Sequence, residues 1–276
     1  MFEKMLNALS LNDDYDDDDY EDDEIEENQN NFFKKFTKEE EEEECQKVIA
    51  EARAKEMLEK EKAAASRLKE KVKGWETVRA SSFHYSYLLN YYPTTCEFEA
   101  TESEWEDRYL VWNFKNTPEK TSASAHESAL DNLIPRIQEK LDTTFGCDTE
   151  FLTLFCIPAS SKEKTQARYE EFSKRLCELT GMHNSYTHVE IGGSRGAKHE
   201  GNNTFGDISY NFDGEFFKGK NVLLFDDVIT RGESMLTWKS QMEGIGANVI
   251  AGLTIGKTTH ERPHIALPSE NDDLPF

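Results

Sequence analysis

Residues Asn221 to Ser234 read NVLLFDDVITRGES, an order of side chains that few folds accommodate. Val222-Leu223-Leu224-Phe225 is a short unbroken apolar run, which suits a strand covered on both faces by helices. Asp226 and Asp227 end the run. Ligands of open α/β sheets bind beyond the carboxyl ends of strands, so paired acids there stand where sugar hydroxyls or a metal ion would be met. Thr230-Arg231-Gly232-Glu233-Ser234 then makes a turn, and Met235-Leu236-Thr237-Trp238 opens a helical pattern. Gly232 lets the backbone approach a ligand closely, and Thr230 and Ser234 offer hydroxyls. The unbonded N–H groups of a helix start favour an anion. Acids for a diol beside a turn for a phosphate describe a phosphorylated ribose. The competing reading is the strand, turn and helix of some other doubly wound protein.

The stretch resembles the signature of the type I phosphoribosyltransferases: four apolar residues, two acids, two apolar residues, then Thr-Thr-Gly-x-Thr. This chain carries Arg231 in place of the second Thr and Ser234 in place of the last, and keeps a hydroxyl at both ends of the turn. The resemblance implies an α/β fold with a mainly parallel sheet and helices on both faces. It implies that Asp226 and Asp227 hold the ribose 2′ and 3′ hydroxyls of phosphoribosyl pyrophosphate. Thr230, Arg231, Gly232, Glu233 and Ser234 would wrap the 5′-phosphate. Mg²⁺ would be held mainly by the ligand's own oxygens and water, with no protein metal ligand assigned.

A second apolar run, Phe151 to Ile157, is stopped by Pro158 and followed by the polar loop Ala159-Ser160-Ser161-Lys162-Glu163-Lys164-Thr165. A helix is expected from Gln166 to Leu179, ending at Gly181. Strand, small-residue loop and helix make an anion site with Lys162, Lys164 and Arg168 near it, or else a solvated loop with ordinary lysines. By the resemblance this loop meets pyrophosphate: Ala159, Ser160, Ser161 and Arg168 become substrate contacts, and Lys164 stabilises the leaving group. The order of parts over residues 108 to 257 is similar to the competence-associated, ComF-like branch, with Arg168-Tyr169 in the place of its Arg-aromatic helix. That branch commonly begins with a paired-cysteine zinc module. Here an acidic tail and a charged helix stand instead.

Of the chain's net charge of −23, residues 13 to 44 supply −15, from 18 acids against Lys34, Lys35 and Lys38. Such a run buries too little apolar surface to offset chain entropy, so residues 1–37 are expected to be a disordered tail. Its charge repels nucleic acid and anionic lipid, which argues against direct nucleic-acid binding. Met1 to Leu11 places Phe2, Met5, Leu6 and Leu9 on one helical face, a docking helix or a weakly ordered end. From Lys38 the sequence is rich in Glu, Lys and Ala and free of Gly and Pro up to Gly74, which predicts one charged helix over residues 38–74. Its apolar positions, including Val48, Ile49, Leu68 and Val72, are sparse for a coiled-coil seam, although pairing between two chains stays open.

The α/β domain is expected over residues 75–262. Phe83 to Tyr92 supplies aromatics for packing, since a base-stacking platform normally comes with basic residues. Arg108 to Lys115 alternates as a strand, and His126 to Leu141 reads as a helix that Pro135 should kink or divide. Ile191 to Asn211 is a polar segment, either a lid over the sugar or a surface hairpin. Val249 to Ile255 reads as a last strand. Strands near 110, 151, 189, 222 and 249 with helices between them predict the mainly parallel sheet.

Five widely spaced cysteines never form a C-x-x-C pair, so they read as reduced thiols, and no apolar run spans a membrane; a cytoplasmic protein is expected. Residues 263–276 close with Asn271-Asp272-Asp273-Leu274-Pro275-Phe276, similar to the acidic tip of bacterial single-stranded-DNA-binding proteins. That tip would offer a terminal Phe to an apolar pocket of a protein partner, or be a frayed tail. The resemblance as a whole implies transfer of the phosphoribosyl group to a base or amine. The alternative is a protein that binds phosphoribosyl pyrophosphate or a nucleotide for regulation, or in DNA uptake or recombination, without transfer. No general base stands out, and His199 and His260 are candidates by residue type only.

Overall fold

The computed structural model describes residues 22–193, 203–205 and 208–262. The chain divides into two units, residues 1–56 and 57–276. The described part of the first is helical and belongs to α1 (Asp22–Lys71), which is 50 residues long and crosses the boundary. The helix begins inside the acidic run, at Asp22. The run lacks Gly and Pro, which suits a helix. Val48 and Ile49 lie exposed on it. The Met1–Leu11 face, His199 and the Asp272–Phe276 tip lie outside the described residues.

The second unit is an α/β structure around a mostly parallel, mixed sheet of six strands. After α1 come β1 (Glu76–Thr77), β2 (His84–Tyr91), α2 (Glu102–Lys115), α3 (Ala123–Phe145), β3 (Leu152–Cys156) and α4 (Lys162–Thr180). Then follow β4 (His183–Asn184), β5 (Val189–Gly193), β6 (Asn203–Phe205), β7 (Ile208–Phe212), α5 (Gly214–Phe217), β8 (Asn221–Ile229), α6 (Glu233–Gly244) and β9 (Asn248–Thr258). The main sheet runs β1-β2-β9-β8-β3-β4, parallel throughout except for the β1–β2 pair, and β5-β7-β6 form a separate antiparallel sheet.

The central strands carry apolar side chains on both faces. Leu154, Leu223, Phe225 and Leu253 join one buried cluster with Phe114 of α2, Leu133 and Ile137 of α3, and Tyr169 and Phe172 of α4. Phe155, Val222, Leu224 and Val249 join the other with Phe217 of α5 and Met235, Trp238 and Met242 of α6. The period-2 alternation of a strand sends consecutive residues to opposite sides, and helices cover both. Ala64 and Leu68 near the C-terminal end of α1, and Val72 just after it, join the first cluster.

Three sequence expectations need correction. Arg108 to Lys115 is the end of helix α2, not a strand. Thr101 and Glu104 form a reciprocal capping box, and the buried Arg108, Val111 and Phe114 fall three residues apart on one helical face. The strand expected near 110 is instead β2, whose aromatics Tyr85 and Tyr87 sit beside β9. The strand near 189 leaves the main sheet: β5 pairs with β7, and two-residue β4 takes the edge position. Pro135 lies within a continuous α3 and does not divide it. Residues 194–202 and 206–207 of the segment considered as a lid are not among the described residues, and the rest belongs to the small sheet. Among the described residues no helix is long and apolar enough to cross a membrane, and the five cysteines are free.

Candidate functional site

Strand β8 does not stop before its acids. It runs through Asp226 and Asp227 to Ile229, with Asp226 beside Thr254 of β9, so both carboxylates are held by sheet backbone. The chain then turns at Thr230–Gly232 into α6. Gly232 occupies the N-cap position at φ 79°, a left-handed conformation, and offers no side chain to cap the helix. A Cβ at Gly232 would lie 2.6 Å from Val78 Cγ1, so only glycine meets both the conformation and the space. Asp226 lines a cavity of about 440 Å³ with Val228 to Met235, which places one acid and the whole 230–234 turn around a single space.

The two acids have different surroundings. Asp227 is buried and ion-paired, 2.5 Å from Arg168 Nη1 and 3.6 Å from Lys115 Nζ, and it is not part of that cavity's lining. Asp226 Oδ1 accepts the Asp227 backbone N–H at 2.8 Å and the Tyr169 hydroxyl at 3.4 Å. Burial, followed by the charge of Asp227, pushes the Asp226 carboxyl up from 3.8 to about 7, against the opposing pull of that backbone N–H, Arg168 and Lys115. Burial and the same acids raise the Tyr169 phenol well above its ordinary value, so it acts as a hydrogen-bond donor. A carboxyl titrating near neutrality at a cavity wall is suited to accepting or returning a proton.

Around the turn, Thr230 Oγ1 lies 2.9 Å from Thr258 Oγ1. Arg231 and Glu233 project into solvent, their side chains 81% and 79% exposed and 3.9 Å apart. Ser234 lines the cavity in the first turn of α6.

The loop after β3 is closed on itself. Thr165 Oγ1 accepts the Ala159 N–H and donates to the Ser161 carbonyl, and Ser161 Oγ caps α4 by accepting the Lys164 N–H. Lys164 Nζ donates to Ser160 Oγ at 3.2 Å. Helix α4 begins at Lys162, inside the stretch expected to be loop. Neither Ala159, Ser160, Ser161 nor Lys164 lines the cavity at Asp226. Arg168 is turned to Asp227, with its Nε lacking a partner among the described residues. His260 is exposed beyond β9.

Lys115 was missed because its segment alternates like a strand; the capping pair Thr101 and Glu104 was the signal for the helix that delivers it. Val78 had no sequence signal, since its contact with Gly232 joins distant stretches. Among the described residues no group of three or more His, Cys, Asp or Glu side chains is arranged to hold a metal ion. The chain matches no family model and no curated protein.

Proposed function

We propose that the space between Asp226 and the 230–234 turn binds a phosphorylated ribose, with phosphoribosyl pyrophosphate as the ligand, in a type I phosphoribosyltransferase-like and ComF-like protein. The observation that carries this reading is the shared cavity: a carboxylate for sugar hydroxyls faces a glycine-started helix that lacks a side-chain cap. The first backbone N–H groups of α6, with the Thr230 and Ser234 hydroxyls, suit a phosphate. Asp226 orients the ribose hydroxyls and, with its raised pKa, is the residue placed to take a proton from an incoming base or amine.

Mg²⁺ fits the donor set in one way. Asp226 and the turn hydroxyls are hard oxygen donors, too few for an all-protein site, which suits an ion brought in on the diphosphate. Such an ion supplies charge neutralisation of the departing pyrophosphate. The chain's own part is to seat the sugar phosphate and hold Asp226 beside it.

A second reading, binding without transfer, is favoured by one specific arrangement. Arg168 and Lys115 tie up Asp227, and Lys164 is bonded to Ser160 outside the cavity, so two groups assigned to transfer are engaged elsewhere. Calorimetry with phosphoribosyl pyrophosphate and Mg²⁺ tests the shared premise: binding is expected, and its loss is expected in Asp226→Asn and Ser234→Ala. No heat of binding in the wild-type chain overturns both readings. A pyrophosphate-release assay over a panel of bases then divides them, release supporting transfer and binding alone supporting a sensor.

A further inference from the structure

A larger cavity, about 700 Å³, lies elsewhere in the second unit, between α4, the end of β3 and the β5–β7 sheet. Its size falls in the range of small-molecule sites. Its floor is an open strand edge. Strand β4 pairs with β3 only at Thr153 and Leu154. The Ile157 N–H donates to the Phe225 carbonyl of β8, whereas the Leu154 carbonyl on the opposite edge accepts the Ser185 N–H and Oγ–H. Backbone groups of alternate strand residues point to opposite edges, so Cys156 directs its N–H and C=O to the same edge as Leu154. No described strand pairs with β3 at Cys156 on that edge, and Cys156 lines the cavity. An adjacent donor and acceptor on a rigid strand form a template for an amide.

The remaining walls decide the charge of the occupant. The carboxamide nitrogens of Asn184, Gln166 and Asn211 already donate to Ser173, Glu170 and Glu190, while Tyr186 adds a ring, and Lys162 and Glu190 add one charge of each sign. That balance disfavours a phosphate or a metal ion and favours a neutral ligand with both donors and acceptors. Burial drives the Cys156 thiol well above its ordinary pKa, so the side chain is no nucleophile and its backbone is the useful part.

We infer that this cavity is a second ligand site, separate from the Asp226 site, for an uncharged amide read by the Cys156 N–H and C=O. The amide belongs to a heterocyclic lactam or to a primary carboxamide. Both present the same donor–acceptor pair to the strand edge.

The test uses the full chain, ¹⁵N-labelled, with 2-pyridone as the lactam and benzamide as the carboxamide. Either probe is expected to shift the Cys156 amide resonance, and the one that does identifies the source. N-methyl-2-pyridone and N,N-dimethylbenzamide lack the donor and should bind at least about tenfold more weakly, as expected for loss of a hydrogen bond to a desolvated partner. Gln166→Trp, on the exposed face of α4 at the cavity wall, should weaken the probe about tenfold or more while leaving the Asp226 cavity unaltered. The inference is overturned if the Cys156 amide does not respond to either probe. It is overturned equally if the methylated compounds bind as well as their parents, or if Gln166→Trp has no effect.

Discussion

Asp227 shows how a single residue's partners decide what it can do. Two acids adjacent in sequence present as a pair, yet Arg168 from α4 and Lys115 from α2 converge on one of them and the other faces a cavity. A buried ion pair contributes little net stability, because desolvation of both charges opposes their attraction. Removing one partner is different, since it leaves an uncompensated buried charge. Arg168→Met is therefore expected to cost about 3 kcal/mol in urea unfolding, with Lys115 the sole remaining cation paired with Asp227 among the described residues. Adding Asp227→Asn should recover most of that loss. A double variant as unstable as Arg168→Met alone would show that Arg168 acts through packing rather than charge.

Among the elements, the β8–turn–α6 unit is the one whose geometry leaves least freedom. The turn needs a left-handed residue at its last position, and Val78, from the segment between β1 and β2, closes the space where a side chain would go. Gly252 in β9 plays a related part, for a Cβ there would meet Met235 Sδ at 2.5 Å, so the Met235 side chain would have to move. Gly232→Ala is expected to destabilise by about 2 kcal/mol from backbone strain alone, and by more from the clash with Val78. Val78→Ala in the same chain should relieve the steric part and leave the strain. Paired thermal melts of the three variants separate the two terms. No difference between Gly232→Ala with and without Val78→Ala would mean that the turn shifts away from Val78 at no cost.

Over the second unit as a whole, buried carboxyls of opposite behaviour set the pH range of stability. Burial pushes the Glu61 carboxyl up, but hydrogen bonds from His183 and Lys220 outweigh it and hold the group below its ordinary 4.5. Its contribution is present above that value and lost as pH falls through the lowered one. Asp226 has the reverse sign. Its folded-state value, about 7, exceeds its ordinary 3.8, so the native state holds a proton the unfolded chain has released. Stability from that source is full below about 3.8 and declines as pH rises towards 7. Urea midpoints across pH 3 to 9 should therefore peak between the two limbs, each unit of displacement being worth about 1.4 kcal/mol. Asp226→Asn should flatten the upper limb and Glu61→Gln the lower one. An unchanged upper limb in Asp226→Asn would assign it to other groups.

The central strand, its acids, the glycine turn and the helix after it were legible in the sequence, as were β3, the Gly181 stop of α4 and the strand after Gly246. Each is local: an apolar run, a cap or a left-handed glycine acts through neighbours in the chain. Arg108 to Lys115 and the stretch around residue 189 were misread because both periods fit a short alternating segment, and long-range packing chose between them. Which acid faces the 440 Å³ cavity, and which is taken by Arg168 and Lys115, no local pattern records. Those partners lie on helices more than fifty residues away in the chain. Charge and hydroxyl chemistry were thus properties of the sequence, whereas the pKa of Asp226, the fit of Gly232 against Val78 and the open edge at Cys156 came from packing the elements together. They depend on distances and desolvation, which exist only once the sheet is covered on both faces.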